Sequence, residues 1–168
     1  ITITDDATGG DCTTIGLWYP STKTCVLTTN VSTPIVINSD GITLDGNRNV
    51  ISASPSDSHI RTDADNITIR NLKIIGCSDR YAIELGDNSN IIVENSSFDS
   101  TLNTTYGDYA IGSGSSDTQC LLNGIRMQYG DNITIRNNQF TNTNYALYGM
   151  DVKSVDIVGN IIKKTVTF

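Results

Sequence analysis

Asp45, Arg70, Glu94 and Arg136 occupy one position of a recurring hexapeptide, so acids and bases alternate down a single column. A carboxyl beside a guanidinium is the raw material for moving protons at a glycosidic bond or a sugar carbon. A second acidic column, Asp40, Asp65, Asp87 and Asp131, stands at the turn before the same segment. Carboxylates in that pattern could hold calcium between neighbouring repeats, but Asp is favoured at turns for backbone capping alone. Opposite charges stacked on a surface contribute little each. The other outward positions of the segment are Thr43, Thr68, Ile92, Thr134 and Asp156, which is a nearly inert face. No catalytic set and no metal site is therefore assigned. His59, Met127 and Met150 are scattered, and no two cysteines have the C-x-x-C spacing of a zinc site.

The four cysteines point to bridges instead. Cys12 and Cys25 bracket a loop containing Trp18-Tyr19-Pro20, and Cys77 and Cys120 lie beside similar turns flanking a long insertion. The expected bridges are Cys12–Cys25 and Cys77–Cys120, from three pairings that four cysteines allow, and they imply an oxidising compartment. Five N-x-S/T sequons are present. Asn30 and Asn103 fall in loops, and Asn66 and Asn132 fall at turns entering a strand, so these four are the glycosylation candidates. Asn95 occupies a corner of the repeat and is set aside.

The elements that must carry these residues come from a repeat. Ile42/Leu44, Ile67/Ile69, Ile91/Val93, Ile133/Ile135 and Val155/Ile157 are apolar pairs spaced two apart, which in extended chain point to one face. Two residues beyond each pair stands Gly46, Asn71, Asn95, Asn137 or Gly159, types that accept a left-handed backbone, so a corner is expected there. Past the corner a second apolar column follows: Ile74, Phe98, Phe140 and Ile162, with Val50 in the first repeat. A further short strand precedes each unit, as in Ile35-Val36-Ile37 and Tyr81-Ala82-Ile83-Glu84-Leu85. Each repeat thus reads strand, turn, strand, corner, strand, and such units stack into a solenoid because none buries its core alone. Five coils at the strand spacing make a rod about 24 Å long.

Residues 35–47 and the two Asn-Ile-Thr-Ile-Arg-Asn copies resemble the repeats of the pectate-lyase-like superfamily. They are most similar to the carbohydrate-binding and sugar-hydrolase repeats shared with periplasmic copper-maturation proteins and with many surface proteins of archaea and bacteria. The resemblance implies an all-β, single-stranded, right-handed parallel β-helix over residues 34–168. An N-terminal strand and disulfide loop, 1–33, would precede it, and a loop would be inserted at 99–120. It also implies a second functional reading, a carbohydrate-binding module or a calcium-dependent polysaccharide lyase or hydrolase. Within the insertion, Tyr106 and Tyr109 could stack on a sugar, meet a neighbouring subunit, or pack the loop onto the rod.

Composition narrows the class. The chain has 168 residues and a net charge of −7, which excludes a nucleic-acid partner because the basic stripe that phosphates need is missing. No apolar run is long enough for a membrane-spanning helix. The chain opens on Ile1-Thr2-Ile3-Thr4, which reads as a mature extracellular or cell-surface product. Alternating strands at both extremities, Ile1–Thr4 and Thr165–Phe168, lack the polar caps an isolated solenoid needs. The expectation is a non-enzymatic, glycosylated protomer that self-associates through its terminal strands, head to tail, into a filament or surface layer.

Overall fold

The structure, a computed structural model, describes residues 1–52, 56–76, 80–100, 122–143 and 145–163. The chain opens with β1 (Thr2–Ile3), a one-turn helix α1 (Cys12–Ile15), β2 (Gly16–Tyr19), a 3-10 turn at Pro20–Thr22 and β3 (Thr24–Leu27). Five coils of three strands follow. They are β4 (Ile35–Ile37), β5 (Thr43–Asp45) and β6 (Val50–Ile51); then β7 (Ile60–Thr62), β8 (Thr68–Arg70) and β9 (Lys73–Ile75). The third coil is β10 (Tyr81–Leu85), β11 (Ser89–Glu94) and β12 (Ser97–Asp99), and the fourth is β13 (Asn123–Gln128), β14 (Asp131–Arg136) and β15 (Gln139–Thr141). The last is β16 (Leu147–Met150), β17 (Val155–Val158) and β18 (Ile161–Lys163).

Like strands of successive coils stack into three sheets, here called A, B and C, in the orders β1-β4-β7-β10-β13-β16, β17-β14-β11-β8-β5-β3-β2 and β18-β15-β12-β9-β6. Every pairing is parallel except β2 with β3. A parallel β-helix follows directly, because the same residue of each coil meets its counterpart in the next. Leu44, Ile69, Val93, Ile135 and Ile157 are in mutual register, and all but the last are fully buried. Phe98 and Phe140 stack face to face with centroids 4.6 Å apart, above Ile74 and Ile51. The first coil contributes Ile51 to this column and not Val50: Ile51 pairs with Ile74 and is buried, while Val50 pairs with the exposed Lys73.

Corners at Asn71, Asn95, Asn137 and Gly159 have φ between +52° and +65°, as the residue types require. Gly46 differs. In its coil the left-handed residues are Asn47 and Arg48, and Gly46 is glycine because the next coil passes too close. A Cβ there would collide with the Leu72 side chain and lie 2.7 Å from the Asn71 carbonyl oxygen. Gly46→Ala should therefore destabilise the rod by about 1–3 kcal/mol through overpacking, read as a lower urea midpoint with an unchanged slope.

Behind the corners runs an internal polar ladder. Ser96 Oγ accepts the Leu72 N–H (3.1 Å), Asn138 Oδ1 accepts the Ser96 N–H (2.9 Å), and Asn160 Oδ1 accepts the Asn138 N–H (2.9 Å). Each side chain satisfies a backbone donor of the preceding coil, where the turn breaks the sheet pattern.

Residues 1–33 are less separate than the sequence suggests. β1 extends sheet A, β3 extends sheet B, and Val31 bridges to Ile51 beside sheet C, so this segment is a sixth, incomplete rung. The Cys12–Cys25 disulfide is formed and ties α1 to β3.

Candidate functional site

The column of acids and bases seen in the sequence is a surface ladder on sheet B. Arg70 Nε sits 2.9 Å from Asp45 Oδ2 and Arg136 Nε sits 2.7 Å from Glu94 Oε2. Burial pushes the Asp45 carboxyl up. Hydrogen bonds from Asn71, Asn47 and Arg70 outweigh that and hold it below the usual carboxylate range. A carboxylate so engaged is a clamp between coils and a poor proton acceptor.

The turn aspartates also serve the backbone. Asp40 Oδ1 accepts the Asp65 N–H at 2.9 Å and Asp65 Oδ1 accepts the Ser89 N–H at 2.7 Å, each reaching to the next coil. Asp131 Oδ1 accepts the Asn132 N–H at 2.8 Å. Among the described residues no three His, Cys, Asp or Glu side chains converge on a metal-sized site.

Beside them lies an exposed asparagine ladder. Asn90 Nδ2 donates to Asn66 Oδ1 (3.1 Å) and Asn132 Nδ2 donates to Asn90 Oδ1 (2.7 Å), with all three residues left-handed. Two glycan candidates, Asn66 and Asn132, thus stand on one line of the surface. A glycan on Asn132 would use one amide hydrogen and leave the other for Asn90. Asn30 is exposed, and its Oδ1 accepts the Val50 N–H (2.9 Å). Asn103, Cys77, Cys120, Tyr106 and Tyr109 lie outside the described residues, as do most of the 99–120 insertion and residues 165–168, where a terminal strand was expected.

Sheet A carries the chemistry that the sequence did not reveal. Its outward row is Val36, Arg61, Glu84, Arg126 and Tyr148 in direct register. Glu84 is engaged at both oxygens, by the Arg126 guanidinium and by Ser58 Oγ at 2.9 Å. The Arg126 guanidinium lies 5.6 Å from the Tyr81 ring centroid, and Tyr148 sits 6.0 Å from Tyr81 and 6.5 Å from Tyr145. A shallow cleft lined by Pro34, Val36, Ser58, Arg61, Arg80 and Glu84 adjoins this face. The face pairs aromatic rings with charged donors and acceptors, a surface able to bind a flat or hydroxylated ligand.

The two ends of the rod are unlike. At the N-terminal end sheet A is closed: the Thr2 N–H donates to Asp11 Oδ2 (2.8 Å), the Asp11 N–H donates to the Thr2 carbonyl (2.8 Å), and the Thr4 N–H donates to the Gly9 carbonyl (3.4 Å). The loop that does this is organised by Asp6. The Gly10 N–H, the Thr4 hydroxyl and both the N–H and hydroxyl of Thr8 hydrogen-bond its carboxylate and hold it far below its ordinary value. Ile1–Thr4 is therefore a rung of its own rod with its outer edge covered, which corrects the expectation of a free strand there.

At the C-terminal end of the described residues the core columns are exposed. Ile157 is 54 % exposed and Ile162 is 60 % exposed, where their counterparts Ile135 and Phe140 are both at 0 %. Val158 and Ile161 are exposed beside them, and among the described residues β16, β17 and β18 are the outermost strands of their sheets. Sheet B is open at the other end too, since β2 is its outermost strand and carries exposed Leu17 and Tyr19.

A family model described as a right handed beta helix region matches residues 15–167. No curated protein and no solved structure matches the chain.

Proposed function

Because the chain belongs to the right-handed β-helix family, whose fold hosts many functions, we propose its role from its own surfaces: a non-enzymatic, extracellular structural protomer that assembles head to tail into a filament or surface layer. The observation that carries this reading is the exposure of Ile157 and Ile162 in columns that are otherwise sealed. A solenoid end of that kind gains by stacking on another layer, burying apolar side chains and pairing strand edges together. The Cys12–Cys25 bridge favours an oxidising compartment, and the acidic, sequon-bearing surface suits a glycosylated exterior. Asp40, Asp65 and Asp131 are tied to backbone, and Asp45 and Glu94 to arginine, which favours a scaffold over a catalyst.

Negative-stain electron microscopy of the purified chain across a concentration series is the test. Rods should lengthen with concentration, at a repeat set by one protomer. Particles that stay single at every concentration would defeat the proposal.

A second reading has its own observation. The Tyr81, Tyr145 and Tyr148 rings beside Arg126 and Glu84 on sheet A favour a carbohydrate-binding role, which a rod on a cell surface could combine with assembly.

A further inference from the structure

We infer that assembly runs through sheet B, with β2 of one copy adding to β17 of the next as an antiparallel strand; the inference rests on the head-to-tail reading and names its contact surface. Sheet B is bounded by β17 at one end and β2 at the other, two strands of four residues each. Neither contains lysine, arginine or proline, and the one charge that guards either edge is Asp156 on β17. Both present apolar side chains to solvent, Leu17 and Tyr19 on β2 and Ile157 and Val158 on β17. Sheet A offers no such match, since the Asp6–Asp11 loop covers its N-terminal edge.

Direction and phase agree. Within one copy β2 runs opposite to β3, while β3 through β17 are parallel, so stacking two copies along a common axis brings β2 antiparallel to β17. On β17, Val155 and Ile157 lie opposite the buried Ile133 and Ile135, which makes Asp156 and Val158 the outward pair. On β2, Gly16 and Trp18 lie opposite the buried Leu27 and Cys25, which makes Leu17 and Tyr19 outward. Keeping inward with inward allows registers that differ by two residues. The one that sets Leu17 beside Val158, Trp18 beside Ile157 and Tyr19 beside Asp156 joins apolar to apolar and a phenol donor to a carboxylate. The register shifted by two sets Leu17 against Asp156, which buries a carboxylate edge on an aliphatic chain. Trp18 stays with its own loop, its ring against Gly9 and its indole N–H donating to the Asp6 carbonyl at 3.0 Å, so the pairing brings Ile157 up to a rung that the loop holds in place. The contact uses different surfaces on the two copies and does not close, so it propagates.

Paired strands bring opposed residues within disulfide reach. Leu17→Cys and Val158→Cys chains, mixed under mild oxidation, should give a reducible covalent dimer that neither variant nor the unmodified chain gives alone. Leu17→Lys should reduce the sedimenting fraction at least tenfold while its far-ultraviolet circular dichroism matches the parent. If the parent assembles but the mixture stays uncrosslinked and Leu17→Lys sediments like the parent, this pairing is wrong while the filament stands. A covalent dimer from Val158→Cys alone means tail-to-tail contact and overturns the pairing as well. A parent chain that never sediments overturns both.

Discussion

Asn138→Ala should cost the fold about 3–5 kcal/mol, a large share of the roughly 5–15 kcal/mol that holds a typical domain together. Asn138 is 1 % exposed and works in both directions. Its Oδ1 accepts the Ser96 N–H at 2.9 Å, and its Nδ2 donates to the Val93 carbonyl at 2.9 Å and to Asn160 Oδ1 at 3.1 Å. Truncation orphans a donor and an acceptor of the backbone inside the rod, where water does not replace the lost partners, and it leaves a void between coils. Asn138→Ser should recover part of the loss, because Ser96 holds the equivalent place one coil earlier, accepting the Leu72 N–H and donating to the Glu94 carbonyl at 2.9 Å. Asn138→Asp should not. It keeps the acceptor but turns a carboxylate toward the Val93 carbonyl, which needs a donor. Urea unfolding of the three variants orders them as parent, Ser, Ala and Asp together; an Ala midpoint within error of the parent would show that the ladder does not hold the coils.

What sequence could read of this molecule follows from what repeats. The aliphatic columns at 42/44, 67/69, 91/93 and 133/135 have period two and the same neighbours each time, so their burial is legible in the sequence. Asn71, Asn95 and Asn137 announced corners because their type and their backbone agree. Gly46 looked like a corner for the same reason, yet its glycine answers to Leu72 in the next coil, a contact between residues that no local pattern connects. The sheet A face was illegible on similar grounds. Glu84 and Arg126 are neighbours in register but stand on either side of the long insertion, and their strands lack the regular Asn-Ile-Thr-Ile sentence that drew attention to sheet B. The internal ladder uses Ser in one coil and Asn in the next two, so only geometry unites them.

The ends show the same limit from the other side. Alternation in Ile1–Thr4 identified a strand correctly, but whether a strand is free depends on what lies over its edge, and that is the Asp6-centred loop. Trp18 and Tyr19 were visible only as the contents of a disulfide loop. Their place on the last strand of sheet B comes from the antiparallel return to β3, which the Cys12–Cys25 bridge fastens at its base.

Acid should weaken the rod well before its carboxylates titrate, and His59 is the reason. Its imidazole is fully buried, and burial lowers its pKa from 6.5 to about 4 against the opposing pull of the Ile75 backbone, the one group among the described residues that favours its charged form. The unfolded chain therefore takes up a proton between pH 6.5 and about 4 that the folded rod refuses. Protons bound preferentially to the unfolded state make stability rise with pH across that window, so acidification removes it, by about 3 kcal/mol at the lower limit. Below that range a separate loss begins, as Asp45 and Asp6, both held low in the fold, are protonated and release their hydrogen bonds. His59→Leu separates the two: whatever packing does to its stability at pH 7, the slope between pH 6.5 and 4 should flatten while the drop below pH 4 remains. Denaturant midpoints at half-unit pH steps measure both segments, and a parent curve level from pH 6.5 to 4 would mean that the imidazole reaches water or a partner when charged.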